Sequence, residues 1–188
     1  MKVSREAAAQ TRQRIIESAG ELFREKGFDG VGVADIMKQA GLTHGGFYGH
    51  FASKDDLAAS VCGVAVPGNA RLWEPEHVPG GAPPLAAFVA TYLTPAHRDH
   101  PGGGCALAAL GGDVAREPQA VRAAFTGAVR DKLTKLAAML PGRNKTAQRR
   151  KALATMAGIV GALTLARAVS DPALSDEFLT AAIETFGT

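Results

Sequence analysis

The stretch Gly32–Phe51, GVADIMKQAGLTHGGFYGHF, constrains the fold more than any other part of the chain. Val33, Ile36, Met37 and Ala40 recur at i, i+3, i+4 and i+7, which is one face of a helix. Gly41 follows as a residue able to turn left-handed without a Cβ penalty. Beyond it Leu42 is apolar, Thr43 suits a helix N-cap, and Phe47 and Phe51 stand one turn apart. Two short helices joined by a tight Gly-containing turn describe a helix-turn-helix, whose second helix enters the DNA major groove. That second helix, predicted over His44–His50, carries Gly45, Gly46 and Gly49. Each costs about 1 kcal/mol relative to Ala, so the segment would not hold in isolation. The glycines have two readings: close packing on the preceding helices, or close approach of backbone to DNA.

The flanking sequence supplies a frame for this motif. Residues 1–26 read as a helix with an apolar stripe of Ile15, Ala19, Leu22 and Phe23, and with Arg14, Glu17, Glu21, Arg24 and Glu25 on the other face. Gly27 ends it and Phe28 is placed to pack back on the stripe. Asp35 falls in the first turn of the next helix, where the macrodipole favours negative charge. Ser53-Lys54-Asp55-Asp56 is a helix start, with Ser53 as N-cap and Asp56 in a capping-box position. Leu57, Val61, Val64 and Ala65 mark its apolar face, and Pro67-Gly68 kinks or ends it. Glu74–Pro84 is a loop by composition, with Pro84 suited to a first helical position.

No strand pattern follows. Helices are predicted over Leu85–Leu93, Cys105–Glu117, Gln119–Leu140 and Thr146–Val169, with a last one starting at Asp171-Pro172 and a break over Thr94–Gly104. Leu153, Met156, Val160 and Leu163 share one face, and Leu174, Phe178, Ala182 and Phe186 recur every fourth residue. The expected fold is all-α. A three-helix helix-turn-helix domain occupies 1–52, and a larger helical domain occupies 53–188.

Charge alone does not point to nucleic acid, since the net charge of 188 residues is only +3. Within the first fourteen residues, however, Lys2, Arg5, Arg12 and Arg14 are opposed only by Glu6, a basic arm able to reach phosphates. Cys62 and Cys105 are the two cysteines, without a CxxC or Cys/His ligand spacing. That usage fits a reducing cytoplasm, and neither metal nor cofactor is expected. The N-terminus has no signal-peptide pattern. The apolar run Ala152–Ala166 is 15 residues, short of the roughly 20 needed to span a bilayer, so no membrane is expected.

The N-terminal third resembles the TetR family of bacterial transcription regulators. The matching residues are Thr11, Ile15, Ala19, Leu22, Phe23, Gly27 and Phe28, then Val33, Asp35, Ile36, Ala40, Gly41 and Leu42. They continue through Gly46, Phe47, Tyr48, His50, Phe51, Lys54 and Leu57. The resemblance implies a DNA-binding domain followed by a ligand-binding and dimerisation core, with a small-molecule effector lowering affinity for operator DNA. It also implies phosphate contacts from Tyr48, His50 and Lys54, whose phenol, imidazole and ammonium groups suit that role. Gly32 stands where the family usually has Thr or Ser, which removes one side-chain phosphate contact. Pro67 interrupts the helix that in the family transmits ligand binding.

Thr43, His44, Gly45 and Gly46 open the recognition helix, where N-terminal residues reach base edges. His44 is the candidate for direct readout, against the alternative of an exposed residue without a partner. In the second domain Cys105 follows Gly102-Gly103-Gly104 at a predicted helix start, with His97, Arg98 and His100 close in sequence. Helix N-termini and cations activate a thiol, so Cys105 reads either as an electrophile or oxidant sensor or as a small buried core residue. A Cys/His enzyme is the reading from another class, and effector-independent DNA binding is a third. Trp73, Phe88, Tyr92, Leu110, Phe125 and Met139 are candidates for an apolar ligand pocket, or equally for plain core. The last two helices, with Gly158, Gly161 and Ala162 allowing close approach, are the expected homodimer interface. A two-fold pair would set two recognition helices about 34 Å apart on DNA.

Overall fold

The computed structural model describes residues 5–63, Trp73 and 84–187. Its helices are α1 (Arg5–Lys26), α2 (Val33–Gln39), a 3-10 helix (His44–Gly49), α3 (Lys54–Gly63), α4 (Pro84–Tyr92) and α5 (Pro95–Asp99). A 3-10 turn (Pro101–Gly103), α6 (Ala106–Val114), α7 (Gln119–Ala138), α8 (Lys145–Ala168) and α9 (Pro172–Phe186) follow. No strand occurs among the described residues, and the fold is all-α. Two compact units divide the chain: Met1–Val66 with Ala109–Ala128, and Pro67–Ala108 with Val129–Thr188. Thus α3 and residues 109–128 group with the N-terminal helices. The expected kink at Pro67, the apolar positions Val64 and Ala65, the residues Lys2 and Glu74–Pro83 lie outside the described residues.

In the first unit α1 packs on α2 and α3. Its stripe residues Ile15, Ala19, Leu22 and Phe23 are buried, and the Phe23 and Phe28 rings meet at 5.0 Å. Gly27 (φ 73°) and Gly41 (φ 70°) terminate α1 and α2 in the left-handed conformation. At Gly41 the closure is a Schellman motif: Leu42 N–H donates to Met37 O at 2.8 Å and Gly41 N–H to Lys38 O at 3.0 Å. Two charged residues depart from the expected pattern. Arg24 is buried rather than on the polar face, its guanidinium running alongside Gly20. Arg12 is not free for phosphate: its guanidinium lies 4.5 Å from the Phe51 ring centroid and donates to Ser60 Oγ at 2.9 Å. A cation stacked on an aromatic face and hydrogen-bonded across 48 residues of sequence fixes α1 against α3.

The second unit rests on the α8–α9 pair, with α9 also against α4 and α5 against α8. Asn144 Oδ1 caps α8 by accepting Ala147 N–H, and Asp171 Oδ1 caps α9 by accepting Ala173 and Leu174 N–H. Gln148 donates both amide hydrogens, to Leu140 O and Gly142 O, and so closes the α7–α8 connection. The expected apolar stripes are partly displaced. On α8 the buried positions are Ala152, Thr155, Met156, Ile159, Ala162, Leu163 and Ala166, while Leu153 and Leu165 are exposed. On α9 Ser175, Leu179 and Ala182 are buried, Phe178 and Phe186 are half-buried and Leu174 is exposed. At 24 residues α8 is longer than the apolar run within it and passes the length and composition of a membrane span. Within this unit the run's Ala152, Ile159 and Leu163 are fully buried by protein.

Close approach of α8 and α9 depends on Gly158, where an added Cβ would collide with the Phe186 ring. Gly158→Ala should therefore destabilise the protein by about 1–3 kcal/mol, the usual cost of overpacking. In a denaturant-melt double-mutant cycle Phe186→Ala should return most of that loss. Additive effects of the two substitutions would show that the ring is not what excludes the methyl group.

Candidate functional site

The segment after Gly41 folds as a 3-10 helix rather than the expected α-helix. Its ladder is short: Gly46 N–H donates to Thr43 O, and His50 and Phe51 N–H both donate to Phe47 O. Three glycines in six residues explain why a tighter, locally satisfied turn replaces an α-helix. Phe47 is fully buried and stacks on Phe51 at 5.7 Å between centroids, so one aromatic side anchors the segment. The other side is open. Thr43, His44, Gly45 and Gly46 are exposed, and Thr43 makes no capping hydrogen bond with its side chain. Tyr48 is 67% exposed with its ring edge-on to Phe47, which removes the core-aromatic reading. His50 and Lys54 are half-buried at its rim.

The glycines are not demanded by packing. An added Cβ at Gly45 or Gly49 meets nothing within 4 Å, and at Gly46 it makes only an ordinary 3.5 Å contact with Met37 Cε. None of the three has a positive φ. Lys54 opens α3, which starts as the sequence predicts: Ser53 Oγ accepts Asp56 N–H at 3.1 Å, and Asp56 Oδ2 accepts Ala52 N–H at 3.1 Å. Glu117 lies within electrostatic reach of Lys54. Burial, then the charges of Asp29 and Asp55, raise its carboxyl above the usual range despite that cation.

In the second unit Trp73, Phe88 and Tyr92 form an aromatic cluster, with centroids 4.8 Å (Trp73–Phe88), 5.8 Å (Trp73–Tyr92) and 5.7 Å (Phe88–Tyr92) apart. Leu110 is buried and Phe125 half-buried, and both fall in the first unit. Met139 is buried in the second unit. The expected break over Thr94–Gly104 instead contains α5 and the 3-10 turn, because Thr94 Oγ1 caps His97 N–H and Pro95 pre-sets the first helical residue.

Cys105 is fully buried at the start of α6. Its backbone N–H donates to His97 Nε2 at 2.9 Å, and His97 Nδ1 lies 2.6 Å from Tyr92 O. An imidazole that accepts at Nε2 must donate from Nδ1, so His97 is neutral and its tautomer is fixed. Burial, then the Arg167 charge, oppose protonation against the Tyr92 carbonyl, and the ring's pKa is lowered. Arg167 donates from Nε to Arg98 O and from Nη2 to His97 O. The sequence marks His97 only as a neighbour of Cys105, and nothing in it marks Arg167. Neither carries a local motif, since they meet across 70 residues.

Residues 15–61 match the model of the bacterial regulatory proteins of the TetR family. The chain is 36% identical over 58 residues to the HTH-type transcriptional regulator AcrR of Shigella flexneri, covering 31% of this chain and 27% of that protein. With the transcriptional regulator AcuR of Cereibacter sphaeroides it is 30% identical over 123 residues, 64% of this chain and 56% of the relative. The reduced form of E. coli NemR has the same fold, with a TM-score of 0.73, 21% identity and coverage of 94% and 95%. The N-terminal region thus carries the TetR-family DNA-binding sequence, on a fold shared along the chain. It spans about a quarter or less of the length of the first curated relatives it matches. The TetR match takes in α2, the 3-10 helix and most of α3, the elements that carry the exposed polar set. His97, Cys105 and Arg167 lie outside it.

The lowered pKa of His97 has a definite sign in stability. Its contribution is complete above the unfolded value of about 6.5 and is lost as pH falls through the lower folded value. Melting temperature should drop between about pH 7 and about pH 5 more steeply in the native protein than in His97→Gln. Parallel pH profiles would remove His97 from the acid sensitivity of the fold.

Proposed function

We propose that this TetR-family chain is a DNA-binding transcriptional repressor that acts in the cytoplasm as a homodimer on a palindromic operator and is released by a small-molecule effector. The observation that carries the reading is the anchored, one-sided 3-10 segment: buried Phe47 and Phe51 behind it, exposed Thr43, His44 and Tyr48 in front. Glycines that no internal contact requires leave its backbone free to approach a duplex closely. In this reading His44 reads a base edge, and Tyr48, His50 and Lys54 hold phosphates.

Homodimerisation through α8 and α9 is supported by an open apolar groove of about 370 Å³ lined by Gly158, Gly161, Leu165, Phe178 and Phe186, with exposed Leu165 on its rim. Two-fold pairing would space the recognition segments by one turn of DNA. Release by a bound molecule is favoured over modification of Cys105, because the thiol has no exposed surface for an electrophile to reach. Catalysis by a Cys/His pair is disfavoured for a geometric reason. His97 Nε2 accepts the Cys105 backbone amide and Nδ1 serves Tyr92 O, so no imidazole lone pair is left to deprotonate the thiol.

Footprinting on the DNA just upstream of the protein's own gene tests the reading, with random-sequence selection if that site is bare. A protected palindrome is expected, weakening strongly with salt. His44→Ala should relax base preference at one position by about 1–3 kcal/mol, whereas Lys54→Ala should weaken all sequences alike. Gly45→Ala is the sharper variant. It should leave the melting temperature unchanged or raise it, since Ala suits a helical backbone better than Gly, while reducing operator affinity. Full-affinity binding by Gly45→Ala would remove the close-approach argument, and no selected sequence at all would remove DNA recognition.

A further inference from the structure

Buried donors without close acceptors gather at one place in the second unit. Among the described residues, Trp73 Nε1 and Arg167 Nη1 are closed to solvent without a hydrogen-bond partner, and the equally enclosed Tyr92 hydroxyl faces the weakly polar Cys105 thiol. Trp73 and Tyr92 are essentially fully buried, 1% and 0% exposed. The three are contiguous: Trp73 packs edge-on to Tyr92, and Tyr92 and Arg167 act on each other electrostatically with Cys105 beside both. Arg167 is held rigidly by the carbonyls of Arg98 and His97, which leaves Nη1 as its spare donor. Tyr92 and Cys105 are the groups that raise its otherwise lowered pKa, and no carboxylate is among them. Lys132 Nζ, 5.7 Å from the Trp73 ring centroid, adds a second cation to the neighbourhood. Buried donors and a guanidinium with no counter-charge among the described residues are unfavourable, and native proteins keep such groups chiefly where something else satisfies them.

We propose that this cluster is the effector site and that its ligand is an organic monocarboxylate. The carboxylate accepts from Arg167 Nη1 and the Tyr92 hydroxyl, and its hydrocarbon part lies against the Trp73 and Phe88 rings. A single free guanidinium nitrogen beside a phenol suits one negative charge, and the aromatic wall suits an organic body over an inorganic anion. Neutral His97 does not compete, because both its ring nitrogens are committed. The effector role rests on the regulator reading; the binding site does not.

Calorimetric titration of the full chain at constant ionic strength tests the site without DNA. Propionate, hexanoate and benzoate are compared with their primary amides and with inorganic phosphate. At least one carboxylate should bind, and its amide at least about tenfold more weakly, the difference that a charge-assisted bond makes. Tyr92→Phe removes a hydroxyl whose hydrogen-bond neighbour in the unliganded fold is the weakly polar Cys105 thiol. It should weaken carboxylate binding several-fold without lowering the melting temperature of the free protein, and Arg167→Lys should weaken it further. Equal binding of acid and amide, preference for phosphate, binding by no carboxylate, or unchanged affinity in Tyr92→Phe would each overturn the site. A carboxylate that binds yet leaves the operator complex intact would keep the site and overturn its effector role. Carboxylate binding by a chain that selects no DNA would keep the site and remove the regulator reading.

Discussion

One uncharged imidazole joins three pieces of the second unit. His97 lies in α5, donates to the last residue of α4 and accepts from the residue that opens α6. No other neutral side chain offers a donor and an acceptor on opposite edges of a rigid ring. Gly104 has to be glycine for the same arrangement, since a Cβ there would sit 2.8 Å from the His97 ring and 3.1 Å from Arg167 Nη2. The imidazole thus sets where Cys105 begins α6, and its backbone carbonyl helps set where Arg167 can point. Remove the ring's neutrality and Cys105 N–H loses its acceptor.

The first unit solves a different problem. A six-residue segment with three glycines has too little helix propensity to fix itself, and it closes few hydrogen bonds of its own. Its geometry comes from behind: Phe47 and Phe51 packed together, Arg12 over Phe51, and α1 against α3. The scaffold supplies the order that the segment lacks. Exposed side chains can then be held in place while the backbone stays bare, a combination unavailable to an alanine-rich helix of ordinary stability.

Much of this was legible. The Gly41 turn, the Ser53 and Asp171 caps and the α1 stripe follow from local rules, and each is where periodicity and capping place it. The failures share a physical cause. Arg12 and Arg24 look like surface charges because the sequence does not reveal an aromatic ring or a buried lane waiting for them. The His97–Arg167 contact spans 70 positions, beyond any window in which spacing carries information. The 3-10 geometry of His44–Gly49 sits between the two cases: the glycine cost was visible, the form of its relief was not.

Both proposed sites depart from the local satisfaction seen around them. Asn144 and Asp171 fill the caps of α8 and α9, and Arg98 is paired with Asp99 and Asp176. At the 3-10 segment an aromatic ring is left in solvent and helix formers are withheld. Beside Cys105, Trp73 Nε1 and Arg167 Nη1 are shut away without acceptors among the described residues. Such costs gather at one exposed face and one buried cluster, each held rigid by well-satisfied neighbours, the arrangement that the two proposed binding sites require. The rigidity matters as much as the vacancy of the bonds: Arg167 could fold back on itself if Nε and Nη2 were not tied to two carbonyls, and Tyr48 could collapse onto the core if Phe47 did not already fill it.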